Sequence, residues 1–375
     1  MSDPTDLRIP DDLLPTDGRF GSGPSKIRPD AVAALAEQAE DYLGTSHRQA
    51  AVKFMVSRLR DGLSELFALP DGYEVMLGNG GTTILWDALC FGLIDHRSQH
   101  TVFGEFSSKF AAAARTTPFL DDPDVIGAEP GTVASPVGRE GIDVYALTHN
   151  ETSTGVMAQI VRPADADDGA LVAVDATSGA AALRFDPAQS DLYYFAPQKA
   201  LASDGGLWLA LASPAAIERI ERIAASDRWV PAGLDLGIAL DNSRKDQTYN
   251  TPALATIFLA VQQVEWINGN GGLEFAASRC DDSARALYGW AESSAFATPF
   301  VQDPAARSTV VGTIDFDESV DAAAVAKALR ANDVLDTEPY RKLGRNQLRI
   351  AMYPAVEPAD VASLTGCIDW LVERL

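Results

Sequence analysis

Leu192-Tyr193-Tyr194-Phe195-Ala196-Pro197-Gln198-Lys199-Ala200 sets a lysine directly after a short apolar, aromatic-rich run, and Ser203-Asp204-Gly205-Gly206 then leads into a second such run, Leu207 to Leu211. Short runs of this kind, bounded by proline, glycine and serine, predict strands. Others recur upstream at Tyr73 to Leu77, Thr101 to Phe103, Val144 to Thr148 and Ala170 to Val174. Helical spacing or alanine-rich content marks Asp30 to Leu43, Ile84 to Leu93, Ser107 to Arg115 and Pro214 to Ala224. The alternation predicts an α/β fold whose large domain has a mostly parallel sheet flanked by helices.

Downstream, an apolar helix from Pro252 to Trp266 is followed by Asn268-Gly269-Asn270-Gly271-Gly272, a strong interruption. The remainder reads as helix Leu273 to Ser293, strand Thr309 to Phe316, helix Asp321 to Ala331, strand Gln347 to Ala351 and helix Pro358 to Leu375. The expected organisation is an N-terminal segment, residues 1–19, a large domain over 20–268, and a smaller α+β C-terminal domain over 269–375.

With 375 residues and 46% hydrophobic content, the chain can bury a large core. No apolar stretch approaches the length of a membrane span, and Met1-Ser2-Asp3-Pro4 is unlike an export signal, so a cytoplasmic protein is expected. Cys90, Cys280 and Cys367 are too far apart to suggest a disulfide framework or a zinc site, and no metal is expected. A formal charge of −23 argues against nucleic acid or an anionic membrane as partner, so an anionic ligand would need a local basic pocket.

A lysine at a strand's carboxyl end lies where open α/β sheets bind ligands. Between apolar walls it loses part of its charge and can form a Schiff base with an aldehyde cofactor. An isolated lysine is more often a solvated one. Val172-Ala173-Val174-Asp175-Ala176-Thr177-Ser178-Gly179 adds a carboxylate that closes a buried-looking strand. Facing a protonated pyridine nitrogen, it would keep such a ring electron-accepting, whereas by itself it reads equally as a turn cap.

Gly78-Asn79-Gly80-Gly81-Thr82-Thr83, between a strand and a helix, lets backbone approach a phosphate and adds two hydroxyls. It is neither a Walker loop nor a dinucleotide fingerprint. Gly104-Glu105-Phe106 offers an aromatic face, and His149-Asn150-Glu151-Thr152 offers a hydroxyl. Each has an ordinary structural reading; five such loops after five strands make a site.

Gly-Gly-Thr-Thr, His-Asn-Glu-Thr, Val-Asp-Ala-Thr-Ser, Ala-Pro-Gln-Lys and Tyr249-Asn250-Thr251-Pro252 together resemble the phosphoserine aminotransferases. The resemblance runs from Phe20-Gly21-Ser22-Gly23-Pro24 to Leu348-Arg349-Ile350-Ala351. It implies a pyridoxal 5'-phosphate (PLP) transferase fold, with Lys199 as Schiff-base lysine and Asp175 at the ring nitrogen as the catalytic pair. Gly81, Thr82, Thr83, Phe106, Thr152, Gln198, Asn250 and Thr251 would bind the cofactor, the last two across a homodimer interface. Ser22, His47, Arg48 and Arg349 would bind substrate. The implied reaction exchanges 3-phosphohydroxypyruvate and glutamate for O-phosphoserine and 2-oxoglutarate in serine biosynthesis, with or without 4-phosphohydroxythreonine of vitamin B6 synthesis as a second substrate.

Two positions depart from the family pattern. Phe106 stands where many members have tryptophan, and the Thr82-Thr83 loop lacks the Gly-Arg that often ends it. The cluster Arg341, Lys342 and Arg345 could supply positive charge for a phosphate instead. The alternatives are another aminotransferase of this fold, of the alanine/serine-glyoxylate type, or a non-catalytic protein retaining the fold. A cysteine desulfurase is disfavoured, because none of the three cysteines lies in a mobile-looking segment.

Overall fold

The computed structural model describes residues 3–375. Its larger sheet contains β1 (Glu74–Asn79), β2 (Ser98–Val102), β3 (Asp124–Gly127) and β4 (Val144–Thr148). After the ribbon β5 (Asn150–Glu151) and β6 (Val156–Met157) come β7 (Leu171–Asp175), β8 (Leu192–Phe195) and β9 (Leu207–Ala212). The order across the sheet is β1-β9-β8-β7-β4-β2-β3. Only β9 runs antiparallel to its neighbours among the described residues, so the other six strands point their carboxyl ends to one edge. This is the mostly parallel sheet that the sequence predicts.

Strand residues alternate between two apolar layers, as the two-residue period requires. Leu77, Leu147, Val174, Phe195 and Leu209 face helices Ala50–Leu66 and Leu254–Gly269. Met76, Ala146, Ala173, Tyr194 and Ala210 face helices Thr82–Gly92, Glu105–Thr116 and Pro214–Ala224. Covered on both faces, the strands have near-continuous apolar sequences.

The sequence reading does not include β3, the strand Ala297–Pro299 or the helix Leu236–Ser243, and two further elements differ from it. β2 begins at Ser98, because Ser98, Gln99 and His100 are buried polar residues whose partners lie in the fold: Ser98 Oγ meets His100 Nε2 at 2.8 Å, and Gln99 Nε2 donates to the Val137 carbonyl at 2.8 Å. The helix Ala50–Leu66, absent from that reading, buries Val52, Met55, Val56, Leu59 and Leu63 along one stripe.

A second sheet joins β10 (Ala297–Pro299), β11 (Val311–Phe316) and β12 (Gln347–Ala351), all antiparallel. Helices Gly272–Ser293, Ala322–Arg330 and Pro358–Val372 pack with it around Leu287, Ile314, Leu329, Ile350 and Leu364. The N-terminal chain joins this core through Ile9 and Phe20. Ala351 N–H donates to the Phe20 carbonyl at 3.0 Å, which delivers Ser22 to the edge of the larger sheet.

Candidate active site

The carboxyl ends of β1, β2, β4, β7 and β8 surround one cavity of about 320 Å³. That falls at the small end of ligand pockets. Thr82, Thr83, Phe106, Thr152, Asp175, Gln198 and Lys199 line it, together with Trp86, Asn150, Thr177 and Ser178.

Lys199 leaves β8 through Ala196-Pro197-Gln198, and its Nζ donates to the Ser22 carbonyl at 2.8 Å. Burial, helped by the nearby Arg349 charge and opposed by Asp175 and Glu151, brings its pKa down from 10.5 to about 8. Gly23 makes room for it: φ there is +143°, and a Cβ would stand 2.2 Å from Nζ.

Asp175 closes β7 and is buried. Its Oδ1 accepts from the Thr177 N–H at 2.9 Å and hydroxyl at 2.6 Å, and its Oδ2 from Trp86 Nε1 at 3.1 Å. Burial pushes its pKa up against those bonds, so a cation facing it would be stabilised.

Opposite stands the glycine turn after β1. Gly80 and Gly81 take φ of 115° and 93°, and Gly81 precedes helix Thr82–Gly92. No side chain caps that helix start, leaving the first N–H groups and the Thr82 and Thr83 hydroxyls for an anion. Phe106, in the first turn of helix Glu105–Thr116, brings its ring centroid 5.9 Å from Lys199 Nζ. Thr152 Oγ1 and Asn150 Nδ2 both donate to Ser178 Oγ at 2.8 Å.

A second cavity, about 580 Å³, shares Gly23 and Pro24 with the first and is walled by Ser22, Tyr340, Arg341, Lys342 and Arg349. Arg349 projects from β12; its Nη1 donates to the Thr152 carbonyl at 3.4 Å, and its guanidinium lies 5.5 Å from the centre of the Tyr340 ring. Gln198 Oε1, Asn150 Oδ1, Ser22 Oγ and Arg349 Nε are buried without a protein partner. Residues bordering both cavities thus hold unused polar capacity.

The basic cluster divides. Arg341 and Lys342 border the second cavity together with Asp336 and Glu338, Lys342 with its Nζ paired to Glu105, whereas Arg345 forks onto Asp315, Nε to Oδ1 at 3.1 Å, and lies over the Phe300 ring. Arg345 is therefore engaged elsewhere. His47, Arg48, Asn250 and Thr251 do not line the Lys199 cavity of their own chain. They gather apart from it: Thr251 Oγ1 meets His47 Nδ1 at 3.2 Å, and Arg48 and Asn250 line a shared cavity with Tyr249. A larger cavity, about 800 Å³, includes His149 and Arg184, both engaged: His149 Nδ1 with Tyr193 OH at 3.0 Å, Arg184 with Glu274 and Asp281.

Chemically, the first cavity offers a partly neutral amine, a buried carboxylate, an aromatic face and a helix start. The class-V aminotransferase family model matches residues 135–336. A phosphoserine aminotransferase from Nocardioides sp. (strain ATCC BAA-499 / JS614) is 60% identical over 370 residues, covering 98% of this chain and 99% of that one. The chain belongs to the phosphoserine aminotransferase family. A further relative, from Mycobacterium leprae (strain TN), is 62% identical over 369 residues and covers 98% of each chain. Among solved structures, a phosphoserine aminotransferase from Cytophaga hutchinsonii superposes with TM-score 0.85 at 24% identity, covering 95% of this chain and 99% of that one. As a phosphoserine aminotransferase family member the chain is a PLP-dependent transaminase, and the cavity fits that cofactor: aromatic wall, buried acid, helix start and lysine all lie around one volume.

Sequence reasoning missed Trp86 and Glu151 as site residues. Trp86 follows Thr82 by one turn, so helical spacing puts both on one face. Glu151 lies in the stretch His149-Asn150-Glu151-Thr152, but its partners Phe106 and Ser107 are 45 and 44 residues away in the chain.

Proposed function

We propose that this protein transfers the amino group of glutamate to 3-phosphohydroxypyruvate, giving O-phosphoserine and 2-oxoglutarate, as the step of serine biosynthesis carried out in the cytoplasm. The observation that carries the phosphate preference is the junction of two cavities: one holds Lys199 and Asp175, the other Arg341, Lys342 and Arg349. In a chain of net charge −23, those three cations, set among Asp336, Glu338 and the Glu105 paired to Lys342, concentrate positive charge suited to a keto acid with a carboxylate and a phosphate. 4-Phosphohydroxythreonine carries the ammonium, carboxylate and phosphate groups that O-phosphoserine carries and is a second amino-acid substrate on this reading.

When bound, PLP supplies an electron-poor ring that accepts the electron pair left by a departing α-proton. Asp175 holds a positive charge at the ring nitrogen. The free N–H groups before Ile84, with Thr82 and Gln198, hold the phosphate. Phe106 covers one ring face and excludes water from it. Thr152, oriented by Ser178, provides a hydroxyl at the phenolic oxygen. Lys199 Nζ, with its pKa brought to about 8, would take the substrate's α-proton and hold it for return. Arg349 pairs its planar fork with the substrate α-carboxylate.

The working enzyme on this reading is a homodimer. Asn250 and Thr251 reach the partner's cofactor phosphate, and His47 and Arg48 the partner's substrate. Support comes from their position outside the Lys199 cavity and from exposed apolar residues nearby in sequence: Tyr249 is 50% exposed and Phe54 63%.

Steady-state transamination with glutamate tests the function. The kcat/KM for 3-phosphohydroxypyruvate should exceed those for glyoxylate and hydroxypyruvate by at least about a hundredfold, the worth of a desolvated charge pair. Equal values would favour the alanine/serine-glyoxylate type.

A further inference from the structure

Glu151 is a fully buried carboxylate, 0% exposed, whose stated effect on the site is only to oppose the lowering of the Lys199 pKa. Burying a carboxylate is costly unless its oxygens are bonded, and here both are. Oε2 accepts from the Phe106 N–H at 3.1 Å, the Ser107 N–H at 2.9 Å and the Ser107 hydroxyl at 2.9 Å. Oε1 accepts from the Ser153 N–H at 3.1 Å and hydroxyl at 2.7 Å. All of these donors are neutral, so the compensating positive potential comes from the start of helix Glu105–Thr116, where Phe106 sits.

The chain leaves a space for this acid. A Cβ on Gly104 would stand 2.3 Å from Glu151 Cγ and 2.6 Å from Ser153 Oγ. Gly104 has an extended backbone, so its missing side chain serves the approach of Glu151 rather than an unusual turn. Ser153 Oγ also accepts from the Glu105 N–H at 3.0 Å, so residues 105, 106 and 107 are all held by the 151–153 segment. That segment follows β4, whereas the helix follows β2: the acid joins two strand-end loops on either side of the cavity wall.

We propose that Glu151 is the positioning residue for Phe106, fixing the plane of its ring and thereby the seat of the cofactor ring against it. The assignment rests on the reading of the cavity as a PLP site. Glu151 touches neither cofactor nor substrate; it acts by fixing the backbone from which the ring projects. Glutamine cannot replace it, because both sides of the group face donors, and an amide NH2 on either side would oppose an N–H. Aspartate is too short to span both.

The test compares wild type, Glu151→Gln, Phe106→Leu and the double variant, by PLP dissociation constant, visible circular dichroism of bound PLP, and kcat/KM. Glu151→Gln should weaken PLP binding and lower kcat/KM each by about tenfold or more, the worth of a lost charge-assisted bond. It should also change the dichroic band, which reports ring orientation. In the Phe106→Leu background the same substitution should cost less than about twofold, because acting through Phe106 leaves nothing further to lose. Equal losses in both backgrounds, or an unchanged dichroic band in Glu151→Gln, would overturn the proposal. Should Glu151→Gln not fold, Ser153→Ala replaces it, removing one side of the arrangement; a loss of about threefold that disappears with Phe106→Leu supports the role, and a background-independent loss refutes it. A wild type that binds PLP yet transfers no amino group would count against the proposed function, while the dichroism and binding comparisons would still decide the role of Glu151.

Discussion

Trp86 Nε1 donates to Asp175 Oδ2 across 3.1 Å, tying the helix after the glycine turn to the end of β7. The helix that offers its N–H groups to a phosphate thus also orients the acid expected at the ring nitrogen, and the two ends of the cofactor would be gripped by one rigid unit. Replacing Trp86 by phenylalanine keeps the ring and removes the donor. A hydrogen bond to a charged group contributes about 1.5–3 kcal/mol, so the PLP dissociation constant should rise about tenfold or more with an unchanged far-ultraviolet spectrum. Titration of the cofactor-free variant measures it, and an unchanged constant would contradict the assignment of Asp175.

The lowered pKa of Lys199 fixes a pH dependence. Neutral amine is the nucleophile, and a group at about 8 rather than 10.5 supplies it at lower pH. By that pKa roughly one molecule in ten holds Lys199 neutral at pH 7, against fewer than about one in a thousand at the ordinary value. The rate of PLP capture by cofactor-free protein should rise tenfold per pH unit below 8 and level off above it. Stopped-flow absorbance follows this; a rate still climbing steeply at pH 10 would mean that burial does not depress the lysine.

Arg349 Nε is buried without a partner, and Nη1 has only a long bond to the Thr152 carbonyl. An Arg349→Lys substitution keeps the charge and loses the planar fork. KM for both glutamate and the keto acid should increase by about tenfold to a hundredfold, since both carry an α-carboxylate, while PLP affinity stays unchanged. A KM effect confined to one substrate would move Arg349 from the α-carboxylate to the distal group.

Shared active sites can be tested by mixing subunits. Lys199→Ala and Arg48→Ala homodimers should each be nearly inactive. Co-refolded, they should recover about a quarter of wild-type activity, because half of the dimers are mixed and each mixed dimer has one intact site. No recovery would place Arg48 in service of its own subunit.

Much of this arrangement was legible in the sequence because parallel strands put function at one edge. Lys199, Asp175, Thr82, Phe106 and Thr152 each follow or close an apolar run, and five strands ending at one edge bring them together. β2 was only partly visible, since its first three residues are polar, with Ser98 and His100 satisfying each other and Gln99 reaching Val137, 38 residues on. The helix Ala50–Leu66 was within reach of pattern reading, with Val52, Met55, Val56, Leu59 and Leu63 at helical spacing. Pairings such as Trp86 with Asp175 and Glu151 with Ser107 join segments far apart in the chain and have no local signature. The fate of Arg345 was equally hidden: four residues from Arg341, it turns to Asp315 on β11 instead of the cavity.

The most direct measurement is the visible absorbance of the PLP-loaded protein, first with glutamate and then with 3-phosphohydroxypyruvate. Glutamate should shift the band of the lysine-bound cofactor, and 3-phosphohydroxypyruvate should restore it as O-phosphoserine forms, one half-reaction at a time. A band that glutamate shifts but only an unphosphorylated keto acid restores would contradict the phosphate specificity. A Lys199→Ala protein giving the same cycle would contradict the account at its centre.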